Sequence, residues 1–124
     1  MGDLSKNFSR KEFACKCKND CNHDTVDVEL LSILQTTADY FDSAVTITSA
    51  HRCPQHNDAV GGSKNSQHLR GRAADIVIFD VAPNEVQNYL LRVYNDRYGI
   101  GRYDHFTHID TRSGPAARWD LRKK

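Results

Sequence analysis

The segment Ser66-Gln-His68-Leu-Arg-Gly71-Arg-Ala-Ala-Asp75 runs straight into the apolar stretch Ile76-Val77-Ile78-Phe79, and no other junction constrains the chain as much. An ionised carboxylate at the head of an apolar strand is costly unless it is paired or bound to a cation. Asp75 therefore needs a partner. His68 lies seven residues before it, and His108, in the stretch His105-Phe-Thr-His108-Ile-Asp110, lies forty residues beyond His68. Together His68, Asp75 and His108 make a candidate two-histidine, one-carboxylate Zn2+ site. Three protein ligands leave the fourth tetrahedral position for water, which is how catalytic zinc is held.

Strand alternation refines this reading. It puts Asp75 on the face of Val77 and Phe79, predicted to point inward. It puts His108 and Asp110 on one face of a second strand, with Thr107, Ile109 and Thr111 on the other. Asp110 is thus placed either to orient a ligand imidazole or to meet a substrate amine. His23, His51 and His56 are assigned no function.

Composition narrows the function classes. A formal net charge of +1 over 124 residues argues against a nucleic-acid binder, which carries a basic excess. No apolar run approaches the roughly 20 residues of a membrane helix. The start, Met1-Gly-Asp-Leu-Ser-Lys, lacks the apolar core of a signal peptide, so the expectation is synthesis in the cytoplasm and delivery to any outside target by another factor. The cysteines are Cys15, Cys17, Cys21 and Cys53, and Cys15-x-Cys17-x3-Cys21 departs from the CxxC knuckle of common zinc sites. Reduced, partly buried thiols are the favoured reading. A second, structural metal that includes Cys53 is the alternative.

The chain reads as one domain over residues 1–124. Residues 1–8 are an extended entry, and Ser9-Arg-Lys-Glu12 is a capping box that starts a short helical turn. A loop over 15–25 leads to an amphipathic helix over 28–42, capped by Asp27. Val45–Ser49 alternates as a strand, and Gln55–Val60 forms a short helix stopped by Gly61-Gly62. After a loop over 63–72, Ala74–Val81 is a strand apolar on both faces and hence central. Pro83 opens a helix reaching about Tyr94. Strands over 99–103 and 107–112 are joined tightly through 104–106, and the basic tail is a solvated terminus anchored by Trp119. The sum is an α+β domain with a small, mostly antiparallel sheet and helices against one face.

The motifs Ser49-Ala-His-Arg52-Cys-Pro54-Gln-His-Asn57, Ser66-x-His68-x-x-Gly71-x-Ala73-x-Asp75, Gly99-Ile-Gly101-Arg-Tyr103 and His105-x-x-His108-x-Asp110 resemble the zinc D-alanyl-D-alanine carboxypeptidases and the phage endolysins grouped with them. The likeness spans roughly residues 4–120 and is greatest to the short, single-domain branch. It implies the fold shared with the hedgehog signalling domain, Zn2+ on His68, Asp75 and His108, and Arg52 facing a substrate carbonyl or carboxylate. Ser66 and Asp110 are expected beside the substrate or behind the ligands. Several members carry Asp or Glu three residues before the last zinc histidine. Here that position is His105, as in related endopeptidases with HxxH, and Asp104 is the alternative base. The expected activity is metal-assisted hydrolysis of an amide in peptidoglycan, by a monomer of phage origin. The competing expectation is a non-catalytic zinc-containing wall- or protein-binding module on the same fold.

Overall fold

Asp27 accepts a hydrogen bond from the Leu30 backbone N–H (2.9 Å), which fixes the start of α1 (Val28–Phe41). Around it the computed structural model, which describes residues 2–17, 21, 23–63 and 65–123, arranges a five-stranded sheet. A 3-10 turn (Arg10–Phe13) precedes α1, and β1 (Val45–Ser49) and α2 (Pro54–Ala59) follow it. A second 3-10 turn (Gln67–Arg70) leads into β2 (Ala73–Ile78). Then come α3 (Pro83–Val93), β3 (Gly99–Arg102), β4 (Thr107–Asp110) and β5 (Ala117–Asp120). Of the expected loops, residues 18–20, 22 and 64 lie outside the described residues, as do the chain ends 1 and 124.

Strand order is β1-β2-β4-β3-β5, antiparallel throughout except for β3 and β5, which run parallel. The apolar β2 lies inside the sheet, as its composition requires. It stops at Ile78 rather than Val81, because Asp80 turns the chain with a left-handed φ of 60°. The entry segment is bent rather than extended, its Gly2 and Leu4 N–H groups donating to the Lys6 and Phe8 carbonyls.

The core lies between one sheet face and two helices. Leu30, Ile33 and Leu34 of α1 and Val86, Tyr89 and Leu90 of α3 pack on Ile47, Ile76, Ile78, Ile100 and Ile109. Even-numbered positions of β2 thus face the helices. Asp75, Val77 and Phe79 point to the other face, so Asp75 is buried as expected but on the face away from the helices, and Phe79 does not share its burial. Phe79 on that face is 73% exposed, whereas Asp75 is buried at 7% by loops rather than by the helical core.

The tail differs most from expectation. Residues 117–120 are not a solvated terminus but an edge strand on β3, with Gly101 opposite Trp119. Arg118 supports this docking by donating to the carbonyls of Tyr94, Arg97 and Tyr98. Backbone hydrogen bonding to β3 outweighs the charge of the segment, which lies at the edge where its arginines stay in water.

Tyr98 ties the approach to β3 onto α1, its hydroxyl donating to Glu29 Oε2. Burial and the neighbouring carboxylate push its phenol up to about 12. An unfolded tyrosine ionises near 10. Stability from this contact is therefore complete below about pH 10 and lost as pH rises toward 12. Alkaline titration of the melting temperature should show a decline in that window, smaller in Tyr98→Phe; identical declines would assign it to other groups.

Candidate metal centre and catalytic cleft

The antiparallel register of β2 and β4 sets Asp75 directly opposite His108 and Ala73 opposite Asp110. Asp75 and His108 therefore meet on the sheet face away from the helices, with Asp75 Oδ1 2.9 Å from His108 Nδ1. His68 reaches the same point from the 3-10 turn before β2. Its Nε2 lies 3.3 Å from Asp75 Oδ1, while its Nδ1–H donates to the Ala50 carbonyl (2.7 Å). That bond leaves Nε2 free to face the cluster and to bind a metal ion. One atom from each of the three residues lies within 4.8 Å of the others, and all three residues are buried.

Behind this cluster stands a chain of orienting contacts. Asp110 Oδ2 accepts from His108 Nε2 at 2.7 Å, which turns Nδ1 toward Asp75. Arg112 grips Asp110 through Nε (2.9 Å) and Nη2 (2.8 Å), and the Gly99 N–H donates to it as well. Asp110 is fully buried, so of its two expected roles it has the geometry to orient an imidazole and not to meet a substrate amine. Burial opposes its charge, but Arg112 and His108 outweigh burial and hold its carboxyl well below the usual carboxylate range. Asp75 likewise stays ionised against burial through its bonds to His108 and His68. Burial disfavours the His108 cation, while Asp110 and Asp75 reverse this and raise its pKa. A buried carboxylate among imidazoles, all converging on one point, is the donor set of a divalent transition metal such as Zn2+.

A cavity of about 630 Å³ opens over this cluster. Arg52 lies in its wall, anchored by Nε to Ser49 Oγ (3.0 Å) and by Nη1 to Asn57 Oδ1 (3.1 Å), with Nη2 3.5 Å from Asp75. A register shift after Ile47 sets Ser49 opposite Asp75 and so aims this anchor. Ser66 also lines the cavity, and its Oγ accepts from the His68 N–H (3.1 Å), capping the turn that carries His68.

The two candidate bases stand apart. The backbone does turn between β3 and β4, but Asp104 and His105 are both exposed in that turn and do not line the cavity. Asp104 Oδ2 accepts from the Lys123 N–H (3.1 Å) and faces a separate concavity with Asp120 and Arg122. Their neighbours Tyr103 and Phe106 do line the cleft, stacked at 4.2 Å. Gln87, buried on α3, donates to the carbonyls of both Tyr103 and Phe106 and so pins the turn at each end.

Sequence reading passed over Arg112, Gln87 and the cleft role of Trp119. Arg112 had a visible signal, since it lies two residues beyond Asp110 and so shares its side of the chain. Trp119 had none before its strand pairing was known. Its ring reaches over Gly101 to stand 5.0 Å from His108, donating Nε1–H to Tyr103 Oη (2.9 Å). A Cβ on residue 101 would come within 2.3 Å of that indole. Gly101→Ala should therefore displace the chain's single tryptophan, seen as red-shifted emission with lowered thermal stability. Unchanged emission would mean that Trp119 does not lie over Gly101.

No curated protein matches the chain significantly. The family model described as peptidase M15 matches residues 6–110, a span that contains His68, Asp75, His108 and Arg52. M15 peptidases are zinc-dependent, in keeping with the donor set built here from His68, Asp75 and His108. The chain thus belongs to the peptidase M15 family and is a metallopeptidase by descent.

Proposed function

We propose that the chain hydrolyses an amide bond in peptidoglycan stem peptides or their cross-links, as a phage endolysin acting on the cell wall after release or delivery. The observation that carries this reading is the convergence of His68 Nε2, Asp75 Oδ1 and His108 Nδ1 beneath a cleft whose wall holds Arg52. The likeness of its motifs to D-alanyl-D-alanine carboxypeptidases and endolysins supports the substrate class.

These three atoms are the proposed Zn2+ ligands. Bound there, Zn2+ would acidify a water and polarise the scissile carbonyl. The chain's own groups do the rest. Asp110 and the Ala50 carbonyl hold the two imidazoles in the orientation that frees one nitrogen of each. Arg52, tethered through Nε, Nη1 and Nη2, offers its remaining N–H groups to a substrate carboxylate or a developing oxyanion. Tyr103, Phe106 and Trp119 form an apolar wall that limits water around the reacting amide.

His105 is the proposed general base, moving a proton from the attacking water to the leaving amine. Its neighbour Phe106 lines the cleft wall, so this role requires the exposed imidazole to swing inward from the turn when substrate is bound. Asp104 is the weaker choice because the Lys123 N–H holds it on the other side of the turn.

Purified cell walls digested with the protein should yield fragments whose masses and new termini identify the cut bond. Release of nothing would leave only the wall- or protein-binding module.

His105→Ala should keep metal content and melting temperature while lowering fragment release by about 10²–10⁴-fold, the usual share of a general acid–base group. Loss of activity in Asp104→Ala with full activity in His105→Ala would move the base by one residue.

A further inference from the structure

We propose that Cys15, Cys17, Cys21 and Cys53 form a second metal centre, a structural Zn2+ site of four thiolates. The four sulfurs come from segments 32 or more residues apart, yet all lie within 4.8 Å of one another. A tetrahedral Zn2+ with bonds of about 2.3 Å has sulfur–sulfur edges of about 3.8 Å, so the cluster already has nearly the size required. Cys53 is buried and the other three are half-buried.

Two details favour metal over the alternatives. The sulfurs meet as one group, and no disulfide joins them; Cys17 and Cys21 Sγ are 3.3 Å apart, beyond the roughly 2.05 Å of an S–S bond. Backbone N–H groups are also directed at the sulfurs, Cys53 N–H to Cys15 Sγ (3.3 Å) and His56 N–H to Cys53 Sγ (3.4 Å). Such donors stabilise thiolates and orient them, as partners behind metal ligands do. Binding would replace four thiol protons with one divalent cation, the protons passing to solvent.

The consequence is mechanical. Cys53 follows Arg52, whose N–H donates to the His68 carbonyl (2.9 Å). Nearby, the Phe13 carbonyl accepts from the His51 N–H, and His51 Nδ1 accepts from the Thr25 N–H. A metal at the four sulfurs clips the N-terminal segment to the strand end that carries Arg52 and braces the cleft wall from behind. This centre stands on its own residues and does not depend on the peptidase reading.

Metal analysis of the native protein decides the matter, with Co2+ substitution to identify the ligands. The expected result is about two zinc ions per chain, one for each cluster. His68→Ala should retain one, and its Co2+ form should keep an intense thiolate-to-cobalt charge-transfer absorption. Cys53→Ser should lose that absorption; should this variant fail to fold, alkylation of the native protein still tests the idea, because all four cysteines should react only after chelation. One zinc in the native protein and none in His68→Ala would overturn the proposal, as would iron at the site or thiols that alkylate freely without chelator. Two zinc ions with no release of wall fragments would instead remove the peptidase reading and leave this centre standing.

Discussion

The pairing of Asp75 with His108 across two antiparallel strands is the contact on which the cleft depends. A buried carboxylate there is tolerable only because imidazoles and a guanidinium surround it, and those groups arrive from separate parts of the chain. A shift of one residue in the β2–β4 register would turn Asp75 toward Ile109 and the helices, where nothing could compensate its charge. The core face, filled by Ile76, Ile78 and Ile109, therefore guards the geometry of the polar face. Hydrophobic packing and site chemistry are two consequences of one alternation.

The polar face is made possible by what β3 lacks. Gly99 lies opposite Asp110, and Gly101 lies between His108 and Trp119. A Cβ at either position would strike the carboxylate or the indole. Their bareness lets Asp110 and Trp119 lie flat over the sheet, so that one side chain orients His108 and the other walls the cleft. Arg112 completes the layer, bonded to Asp110 and 5.5 Å from the Trp119 ring centroid. His108, the carboxylate that orients it and the cleft wall thus form one continuous stack.

Much of this was legible in the chain itself. Alternation along β4 assigns His108 and Asp110 to one face, and the apolar run after Asp75 marks a carboxylate in need of partners. The Asp27 cap and the Pro83 start are local effects, and local effects survive folding nearly unchanged. Less legible was the direction of Asp75, because an apolar run reads alike on both faces until it is known which one the helices cover. The β5 strand was hidden for a related reason. Ala117–Asp120 is short and charged, and it becomes a strand only through the parallel edge that β3 offers.

The sequence by itself determined the donor types, their spacing and the elements that carry them, since these follow from side-chain chemistry and short-range backbone preference. Tertiary structure alone decided which donors meet. It brought His68, Asp75 and His108 to one point while leaving Asp104 and His105 exposed in their turn, and it gathered four irregularly spaced cysteines into one cluster. The physical reason is that register, sheet order and loop closure depend on contacts between residues far apart in the chain, whose energies no local pattern records.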